Sequence, residues 1–594
     1  MSHTHFRFDR RRLLAGTTGA ALALGWPASR AQADGRILVI ARSDPFKSMD
    51  PVRAFEDNSS LLQELAYSTL LTYAWLERPY RLEPDLLERL PERSADGLSY
   101  QFTLRRGVMF HDDACFPGGK GRELVADDVL FNLRRFADAR LNQESWFLLE
   151  DMLVGLDEYR AATLKAPPEA DLSGTAVAGL VKQDSHRFTL RLKRENTLFL
   201  YAFASPATSI VAPEAAKVDG ERLATHPVGT GPYRLKDFER KGVIRWVRHA
   251  GYHRSYPAAG GAGDAEAGLL KAAGRRRPFV ETLEMPLIEE SQPRILKFLR
   301  GELDLVNLDR AAIDRMLRRE NGRYQLLPEY TQRFTLYQSE RLTAMYLWIN
   351  QKDPLLGRNK ALRQAIAHLL DVPGDIETVQ RGAAQPLGSI VPLPIAGSER
   401  DTGARPAGYD PERAKALLAQ AGFPEGRGLA ELTVSCGFAA IEWRDRFDFH
   451  RARFAAAGVR LKSNFTDQPT FIKSVEASNF QLALYGWVAD YPDAENFYQL
   501  LIGRNAAPGP NLASFSHPEY DRAYEAARLM AAGPERLVHL RRMNDIVRDE
   551  VPLVPLYNSL RVGLRQNWVR NHKYHLLISN AAPYLDLEGP PSRR

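Results

Sequence analysis

Short strand patterns alternate with helical patterns from residue 37 onward, and this alternation restricts the fold more than any other feature of the chain. Apolar and polar residues alternate over 100–105 and again over 188–192, the period-two pattern of a half-buried strand. Between these strands, Asp127 and Asp128 precede an apolar run, where the positive end of a helix dipole favours acidic residues. Strands interleaved with helices predict an α/β fold with mixed sheets and flanking helices.

Capping residues and apolar spacing predict further elements. Asp410 is a good N-cap, and Gly422 closes the helix that follows it. Ser516 and Glu519 fit a capping box before a helix that begins near Pro518. The other predicted elements are a strand over 37–40, a helix over 61–71, a helix with one apolar face over 362–370 and a strand over 480–485.

The composition excludes several classes of protein. A chain of 594 residues, 26% charged and 44% hydrophobic, is neither wholly disordered nor a small disulfide scaffold. The formal charge of +7 is concentrated at the start, because the first 33 residues hold five arginines and one aspartate. The remainder has 75 basic and 72 acidic residues, too even a balance for a nucleic-acid-binding surface.

The first 33 residues have the pattern of an export signal. The arginines at 10–12 precede an apolar stretch over 13–24, and the residues at 31–33 are Ala-Gln-Ala, small enough for a signal peptidase. This pattern is typical of a twin-arginine signal cleaved after Ala33 and predicts a periplasmic protein. A retained membrane anchor is the weaker alternative, because the apolar stretch has about 12 residues and a spanning helix needs about 20.

Motifs for catalysis are missing from the sequence, which has neither a recognised nucleophile elbow nor a zinc-protease motif. The sequence therefore predicts no catalytic residue, no metal and no other cofactor. Cys115 and Cys436 are its only cysteines and lie far apart, so we expect free thiols.

Three segments are weak candidates for a metal or phosphate site. His249 and His253 could share a helical face, but Gly251 between them favours a loop without metal. The cluster of His, Asp and Cys over 111–115 enters a glycine-rich stretch directly after a strand, which argues against a metal site. The Gly-Thr-Gly sequence at 229–231 precedes a strand rather than a helix, so we interpret it as a tight entry into that strand.

The strongest candidate for a binding site surrounds the end of the strand predicted over 480–485. Such a strand brings the residues that follow it to the edge of the sheet where ligands bind in α/β proteins. A desolvated carboxylate beside aromatic rings is suited to holding an ammonium ion. The alternative is a helix cap with aromatic residues of the core. The candidate residues are Tyr485, Gly486, Trp487, Val488 and Asp490.

Residues 257–278 are rich in glycine and alanine, end in three arginines and have no apolar period. We predict a surface insertion here. A nucleic-acid or lipid role for the arginines is the weaker alternative, since isolated charge runs are usually solvated.

Motifs in a fixed order make the chain resemble the peptide/nickel/oligopeptide class of periplasmic solute-binding proteins, extracellular solute-binding protein family 5, which serve ABC importers. The matching segments are Met49-Asp50-Pro51, 100–112, 126–129, 228–233, 350–371, 410–422, Gly486-Trp487, 516–521 and 551–557. Each motif is weak alone, but their shared order is specific. Asp113 departs from the pattern, since the family usually has glycine after His-Asp.

The resemblance implies a two-lobed periplasmic binding protein fold with an extra subdomain on the first lobe and a hinge between the lobes. It implies that lobe I is discontinuous. The implied boundaries are 34–62, 206–345 and 556–594 for lobe I, 63–205 for the extra subdomain and 346–555 for lobe II.

The resemblance also implies a transport function. Such a protein captures a peptide or another amine-bearing solute and delivers it, as a monomer, to an ABC permease in the inner membrane. In peptide-binding relatives, an aspartate of the Gly-Trp-x-x-Asp segment grips the N-terminal ammonium, which corresponds to Asp490. Gly486 and Val488 would offer backbone groups, and Trp487 would wall the cleft. Relatives also bind nickel chelates, opines, sugars or haem, and an exported hydrolase is the alternative from another class.

Overall fold

The computed structural model describes residues 36–54, 56–141, 143–167, 169–218, 220–403, 408–438 and 441–589. The predicted signal over 1–33 lies outside these ranges. Among the described residues, no helix is both long enough and apolar enough to cross a membrane. Arg36–Arg594 forms one unit by its internal contacts, so the predicted lobe boundaries stay predictions.

Strands and helices alternate through the described part of the chain, as the sequence predicts. The strands are β1 Ile37–Val39, β2 Leu71–Tyr73, β3 Leu82–Pro84, β4 Glu92–Arg93, β5 Ser99–Thr103, β6 Leu180–Lys182, β7 Arg187–Arg191, β8 Tyr233–Phe238, β9 Val243–Arg248, β10 Thr282–Pro286, β11 Leu305–Asn307, β12 Leu317–Glu320, β13 Arg323–Leu326, β14 Phe334–Glu340, β15 Thr343–Ile349, β16 Ala384–Pro386, β17 Leu432–Cys436, β18 Leu461–Phe465, β19 Leu482–Val488, β20 Leu553–Gln566, β21 Val569–Arg570 and β22 Asp586–Leu587. The helices are α1 Asp57–Ala66, α2 Ala126–Ala137, α3 Leu156–Lys165, α4 Pro213–Val218, α5 Ser291–Leu299, α6 Arg310–Met316, α7 Pro328–Thr331, α8 Lys360–Leu369, α9 Val372–Thr378, α10 Glu399–Thr402, α11 Pro411–Gln420, α12 Ile441–Ala456, α13 Gln468–Glu476, α14 Glu495–Tyr498, α15 Pro518–Arg528 and α16 Pro534–Glu550.

Three sheets form the framework. One has the strand order β1-β10-β9-β8, and a second has the order β4-β5-β7-β6. The third is an eight-stranded sheet in the order β11-β20-β15-β19-β17-β18, with β14 and β16 also paired to β20. The long strand β20 joins two regions of this sheet, because its first half pairs with β15 and β16 and its second half with β14 and β11.

The second sheet confirms the alternation predicted over 100–105 and 188–192. Strands β5 and β7 are antiparallel, with Phe102 directly opposite Phe188. The two rings stack with their centroids 4.9 Å apart and are fully buried. Each buried aromatic side chain of this kind contributes about 1.5–3 kcal/mol through removal from water. The pleat thus places every second residue in the core.

The helix predicted over 61–71 begins and ends earlier, at Asp57 and Ala66. Its end meets the Gly-Thr-Gly segment, where the Gly231 amide donates to the Ala66 carbonyl at 2.9 Å. A Cβ on Gly231 would lie 2.4 Å from the Ala66 carbonyl carbon, so only glycine allows this approach. The predicted strand then begins at Tyr233. The glycines therefore serve a close backbone contact as well as the entry into β8.

Two predicted caps have different outcomes. The Asp410 carboxylate accepts a hydrogen bond from the Arg413 amide at 2.9 Å, which confirms this N-cap. The capping box of Ser516 is wrong, because His517 is the N-cap and its ring nitrogen accepts from the Tyr520 amide at 3.4 Å. The helix begins at Pro518 as predicted.

The segment 257–278 is not merely a surface insertion. Although it forms turns, Asp264 is 4% exposed and binds the Lys573 ammonium at 2.7 Å. The guanidinium carbon of Arg277 lies 3.9 Å from the Tyr584 ring centroid, and this arginine is 3% exposed. Partners distant in the sequence therefore bury polar residues that look like a solvated loop.

Candidate functional site

Strand β19 occupies the middle of the eight-stranded sheet and carries most of the predicted site. The strand predicted over 480–485 extends from Leu482 to Val488. Gly486, Trp487 and Val488 are therefore inside the strand rather than beyond its end, which corrects the expected boundary. Antiparallel pairing with β15 along this whole length stabilises the longer strand.

The far end of β19 has one open edge. Its parallel partner β17 pairs only as far as Leu484. On the β15 side, the Ala489 amide donates to the Leu342 carbonyl at 2.8 Å. Because hydrogen-bonded pairs alternate along an antiparallel ladder, Trp487 directs its backbone groups toward β15. Gly486 and Val488 direct theirs toward the open edge.

The side chains of β19 alternate between two environments. Tyr485 and Trp487 are half-buried and pack against the hydrophobic cluster that includes Tyr346 and Trp348. The Trp348 indole nitrogen donates to the Tyr485 carbonyl at 3.0 Å. Val488 is 52% exposed on the opposite face. The predicted aromatic residues thus contribute to the core and border the site at the same time.

Asp490 follows the strand and is held by Asn496. The Asn496 Nδ2 donates to Asp490 Oδ2 at 2.9 Å, and the Asp490 amide donates to Asn496 Oδ1 at 3.1 Å. The same Oδ1 accepts from the Trp487 indole at 2.9 Å. Within the described chain, the Asp490 carboxylate forms no ion pair. Burial raises its pKa to about 6, although the Asn496 hydrogen bond lowers it.

The alternative role for Asp490, a helix N-cap, does not match the structure. The next helix runs over Glu495–Tyr498 and has Ala494 at its N-cap position. The Asp493 carboxylate, not that of Asp490, accepts from the Glu495 amide, at 2.8 Å. The Asp490 side chain is therefore not committed to helix capping.

The neighbouring acidic groups are all satisfied. Asp493 accepts two hydrogen bonds from the Arg536 guanidinium, at 2.8 and 2.5 Å. Glu495 accepts hydrogen bonds from the hydroxyl groups of Tyr491 and Tyr524. In this described segment, Asp490 is thus the acid with neither a cation nor a hydroxyl partner.

Two tyrosines from the first half of the chain, Tyr73 and Tyr201, lie near this site. The Tyr201 ring stacks on Tyr491 with centroids 5.7 Å apart, and Tyr73 stacks on Tyr201 at 6.4 Å. Burial raises the pKa of Tyr73 well above its usual range, and the negative charge of Asp490 adds to this effect. Asp490 therefore lies among side chains that are some 300 to 400 positions away in sequence.

Sequence reasoning missed Tyr73, Tyr201 and Asn496. The tyrosines have no local signal, because their role depends on the packing of distant segments. Asn496 follows Asp490 by six positions. An amide so close to a predicted buried carboxylate could have been recognised as its donor.

The weak metal candidates have other partners. His111 is buried, and its Nε2 lies 2.9 Å from the Gly231 carbonyl, while Asp113 bonds the His226 ring at 2.6 Å. His253 lies in a loop as predicted and bonds Asp85 at 2.9 Å. No group of three or more potential ligands is found among the described residues.

Both cysteines are free thiols, as predicted. Cys436 is buried in β17, and burial raises its pKa. Cys115 is partly buried, and its pKa is also raised, to about 12. Neither thiol is therefore activated as a nucleophile.

The chain is similar to known proteins in both sequence and fold. The model of the bacterial extracellular solute-binding proteins, family 5, matches residues 81–508. The chain is 26% identical to heme-binding protein A of Haemophilus influenzae, over 81% of this chain and 79% of that protein. It is 24% identical to the dipeptide-binding protein of Escherichia coli, over 80% of this chain and 81% of that protein.

Solved structures show the same fold. HbpA2 from Haemophilus parasuis superposes with a TM-score of 0.72 at 22% identity, covering 93% of this chain and all of that one. The periplasmic binding protein DppA from Helicobacter pylori, in complex with the peptide STSA, gives a TM-score of 0.70 at 22% identity, covering 94% and 99%. These similarities confirm the predicted two-lobed binding-protein fold.

Proposed function

The chain belongs to family 5 of the bacterial extracellular solute-binding proteins, and from this premise we propose that it captures a peptide in the periplasm for an ABC importer. The solute, a peptide or a similar amine-bearing molecule, is enclosed between the two lobes. The protein acts as a monomer, without catalysis, and passes the solute to a permease in the inner membrane.

The observation that carries the proposal is the unneutralised carboxylate of Asp490. A partly buried carboxylate without a cation is costly, and a ligand ammonium would remove that cost by forming a charge-assisted hydrogen bond. Its pKa of about 6 leaves it ionised at neutral pH. Asp490 is therefore proposed to bind the N-terminal ammonium of the peptide.

The open edge of β19 supports an extended peptide as the ligand. Gly486 and Val488 direct backbone groups to this edge, where a peptide can pair as an added strand. Such main-chain pairing does not depend on side-chain identity. Trp487 and Tyr485 are proposed to border the bound peptide.

The relatives point to the same ligand class without fixing it. The Escherichia coli relative is a dipeptide-binding protein, and the Helicobacter pylori structure holds a peptide. The Haemophilus influenzae relative is a heme-binding protein, so the fold alone does not determine the solute. The unpaired acid at Asp490 favours an amine-bearing solute over haem, a sugar, an opine or a nickel chelate.

The test is a double-mutant cycle by calorimetry. The ligand is a peptide recovered from protein purified from its own periplasm and identified by native mass spectrometry. Asp490→Asn should cost about 3–5 kcal/mol of binding free energy, because the ammonium is left buried and unpaired. Acetylating the peptide amine should cost wild type a similar amount and the variant little more.

Asp448→Asn is the matched control, since Asp448 is an exposed aspartate on α12. This variant should bind both peptides as wild type does. Additive losses from Asp490→Asn and acetylation would refute ammonium recognition by Asp490. Recovery of cleaved peptide after incubation would instead favour the hydrolase alternative.

A further inference from the structure

A cavity of about 690 Å³ lies where the paired strands β21 and β22 meet the residue before β1 and the turns over 267–275. Its lining has a formal excess of three positive charges. The cationic side chains are Arg36, Lys271, Arg275, Arg565 and Arg570, and the carboxylates are Asp586 and Glu588. None of these lining residues belongs to the candidate solute site.

The length of β20 separates this cavity from the solute site. Strand β15, which pairs with β19 at the solute site, pairs with residues 553–557 of β20. Arg565 is eight residues beyond Tyr557, roughly 25 Å along a strand. A ligand in the cavity therefore leaves the solute site open.

The two carboxylates neutralise only part of the positive charge. Asp586 accepts hydrogen bonds from both Arg36 and Arg275, at 2.7 and 3.1 Å. Glu588 accepts from Arg570 at 2.6 Å. Because Asp586 is shared by two guanidinium groups, one of their two positive charges is not compensated.

Arg565 has no carboxylate partner among the described residues. It is partly buried, and its guanidinium group donates to the Val569 carbonyl at 2.5 Å. Burial lowers the pKa of Arg565, and the positive charge of Arg570 lowers it further. Two guanidinium groups held near each other repel, and an anion between them would relieve that repulsion.

Asn571 gives a second, independent indication of a ligand at the same cavity. The residue is 8% exposed, and its Nδ2 is buried without an acceptor among the described residues. Buried donors are nearly always paired, so an unpaired one at a cavity wall indicates a partner from outside the chain. Its φ of 62° is left-handed, a conformation that asparagine adopts more readily than most residues.

His572 lines the cavity without adding charge. Burial and the positive charge of Arg565 lower its pKa to about 3, so the ring is neutral at pH 7. The ring centroid lies 4.6 Å from that of Tyr337. The positive excess therefore comes from the arginines and from Lys271.

We propose that this cavity binds a phosphate monoester, as a second ligand site that does not depend on the proposed peptide transport. Such a group carries nearly two negative charges and offers three strong acceptor oxygens. Guanidinium groups match this geometry through parallel hydrogen bonds, and Arg565 and Asn571 supply donors. A single carboxylate would neutralise less of the excess charge. A soluble phosphate ester and the headgroup of phosphatidic acid offer the same chemistry.

The experiment uses the full chain and one probe for each source. Calorimetry measures binding of glycerol 3-phosphate, with glycerol as the blank. Co-sedimentation measures binding to vesicles of equal parts phosphatidic acid and phosphatidylcholine, with phosphatidylcholine alone as the blank. Arg565→Gln should weaken binding by roughly tenfold or more, because it removes a charge-assisted donor. Asn571→Asp keeps the side-chain size but adds a negative charge, so it should weaken binding at least as much.

Arg276→Gln is the matched control, since Arg276 is an exposed arginine of the same segment that does not line the cavity. This variant should bind both probes as wild type does. Lys271→Gln, at an exposed position of the lining, should weaken binding by a few-fold and keeps the test decisive if Arg565→Gln does not fold. Circular dichroism checks the fold of each variant.

The outcomes separate the two sources and expose a failure. Binding of glycerol 3-phosphate that depends on Arg565 supports a soluble ester, and binding of the anionic vesicles alone with the same dependence supports the lipid headgroup. The proposal is refuted if neither probe binds wild type, or if Arg276→Gln loses as much binding as Arg565→Gln. Arg565→Gln should bind peptide as wild type does, and loss of peptide binding in a folded variant would refute a separate site.

Discussion

Asn496 and Asp490 are joined by two hydrogen bonds, one from the amide side chain to the carboxylate and one from the Asp490 backbone to the amide oxygen, at 2.9 and 3.1 Å. Asn496 is fully buried. It therefore fixes the direction of the carboxylate without neutralising its charge. A site prepared in this way loses less entropy when it binds a ligand.

The first prediction concerns this buried amide. Asn496→Ala should lower the free energy of unfolding by about 1–3 kcal/mol, because the Trp487 indole loses its acceptor. It should also weaken peptide binding about tenfold, since Asp490 is no longer oriented. Thermal unfolding and calorimetry measure the two effects. Asn464→Ala, at an exposed asparagine on β18, is the control, and equal effects from both variants would contradict the prediction.

The second prediction concerns stability without ligand. The pKa of Asp490 is about 6 in the folded protein, above the usual value of about 3.9, so the folded state binds this proton more tightly. The contribution of Asp490 to the stability of the folded protein therefore decreases as pH rises from about 4 to 7. The change in the free energy of unfolding caused by Asp490→Asn should therefore be about 1–3 kcal/mol more favourable at pH 7.5 than at pH 4.5.

Thermal unfolding of wild type and variant at the two pH values checks this sign. Burial raises the pKa of Glu64 to about 7, but Glu64 is present in both proteins, so its effect on the pH dependence of stability cancels when the two are compared. The same difference at both pH values would show that Asp490 is not desolvated.

The third prediction concerns the pH dependence of binding. If Asp490 binds the ligand ammonium as proposed, only its ionised form does so, and affinity should fall by roughly tenfold per pH unit below about 6. Calorimetry between pH 4.5 and 7.5 measures this slope. The Asp490→Asn variant should lack it, and an unchanged slope in the variant would assign the titration to another group.

The fourth prediction compares two ion pairs. Arg536 is 5% exposed and binds Asp493, whose side chain is 14% exposed, so Arg536→Ala should cost about 3–5 kcal/mol of folding stability by leaving a largely buried carboxylate without its cation. The exposed pair of Arg542 and Glu519 has similar geometry, with N and O 2.6 Å apart. Arg542→Ala should cost much less folding stability, because solvent screens an exposed ion pair. Urea unfolding would contradict the argument if the two losses were equal.

The fifth prediction concerns export. Replacing Arg11 and Arg12 by Lys should retain the precursor in the cytoplasm, because the export machinery reads residue identity as well as charge. Cell fractionation measures this, with Arg30→Lys as the control. Normal export of the double variant would argue against a twin-arginine route.

Local sequence patterns predict an element correctly where residues close together in the sequence make the interaction that forms it. The helix at Asp410 was predicted because the capping carboxylate and the amide that it accepts from are three residues apart. The predicted end of the helix at residue 71 is wrong, because the backbone is already extended at Tyr67 and the Ala66 carbonyl accepts from Gly231, a residue distant in the sequence. The prediction that 257–278 is only a surface insertion is wrong for the same reason, because the partners that bury its polar residues lie about 300 positions away.

The sequence by itself determined the α/β class, the family and the position of Asp490, since periodicity, capping and ordered motifs are local properties of the chain. Only the tertiary structure decided which acid lacks a partner, because Asp493, Glu495 and Asp490 are alike until Arg536 and Tyr524 pack against two of them. Charge compensation depends on distance in space, and the chain fixes that distance only by folding.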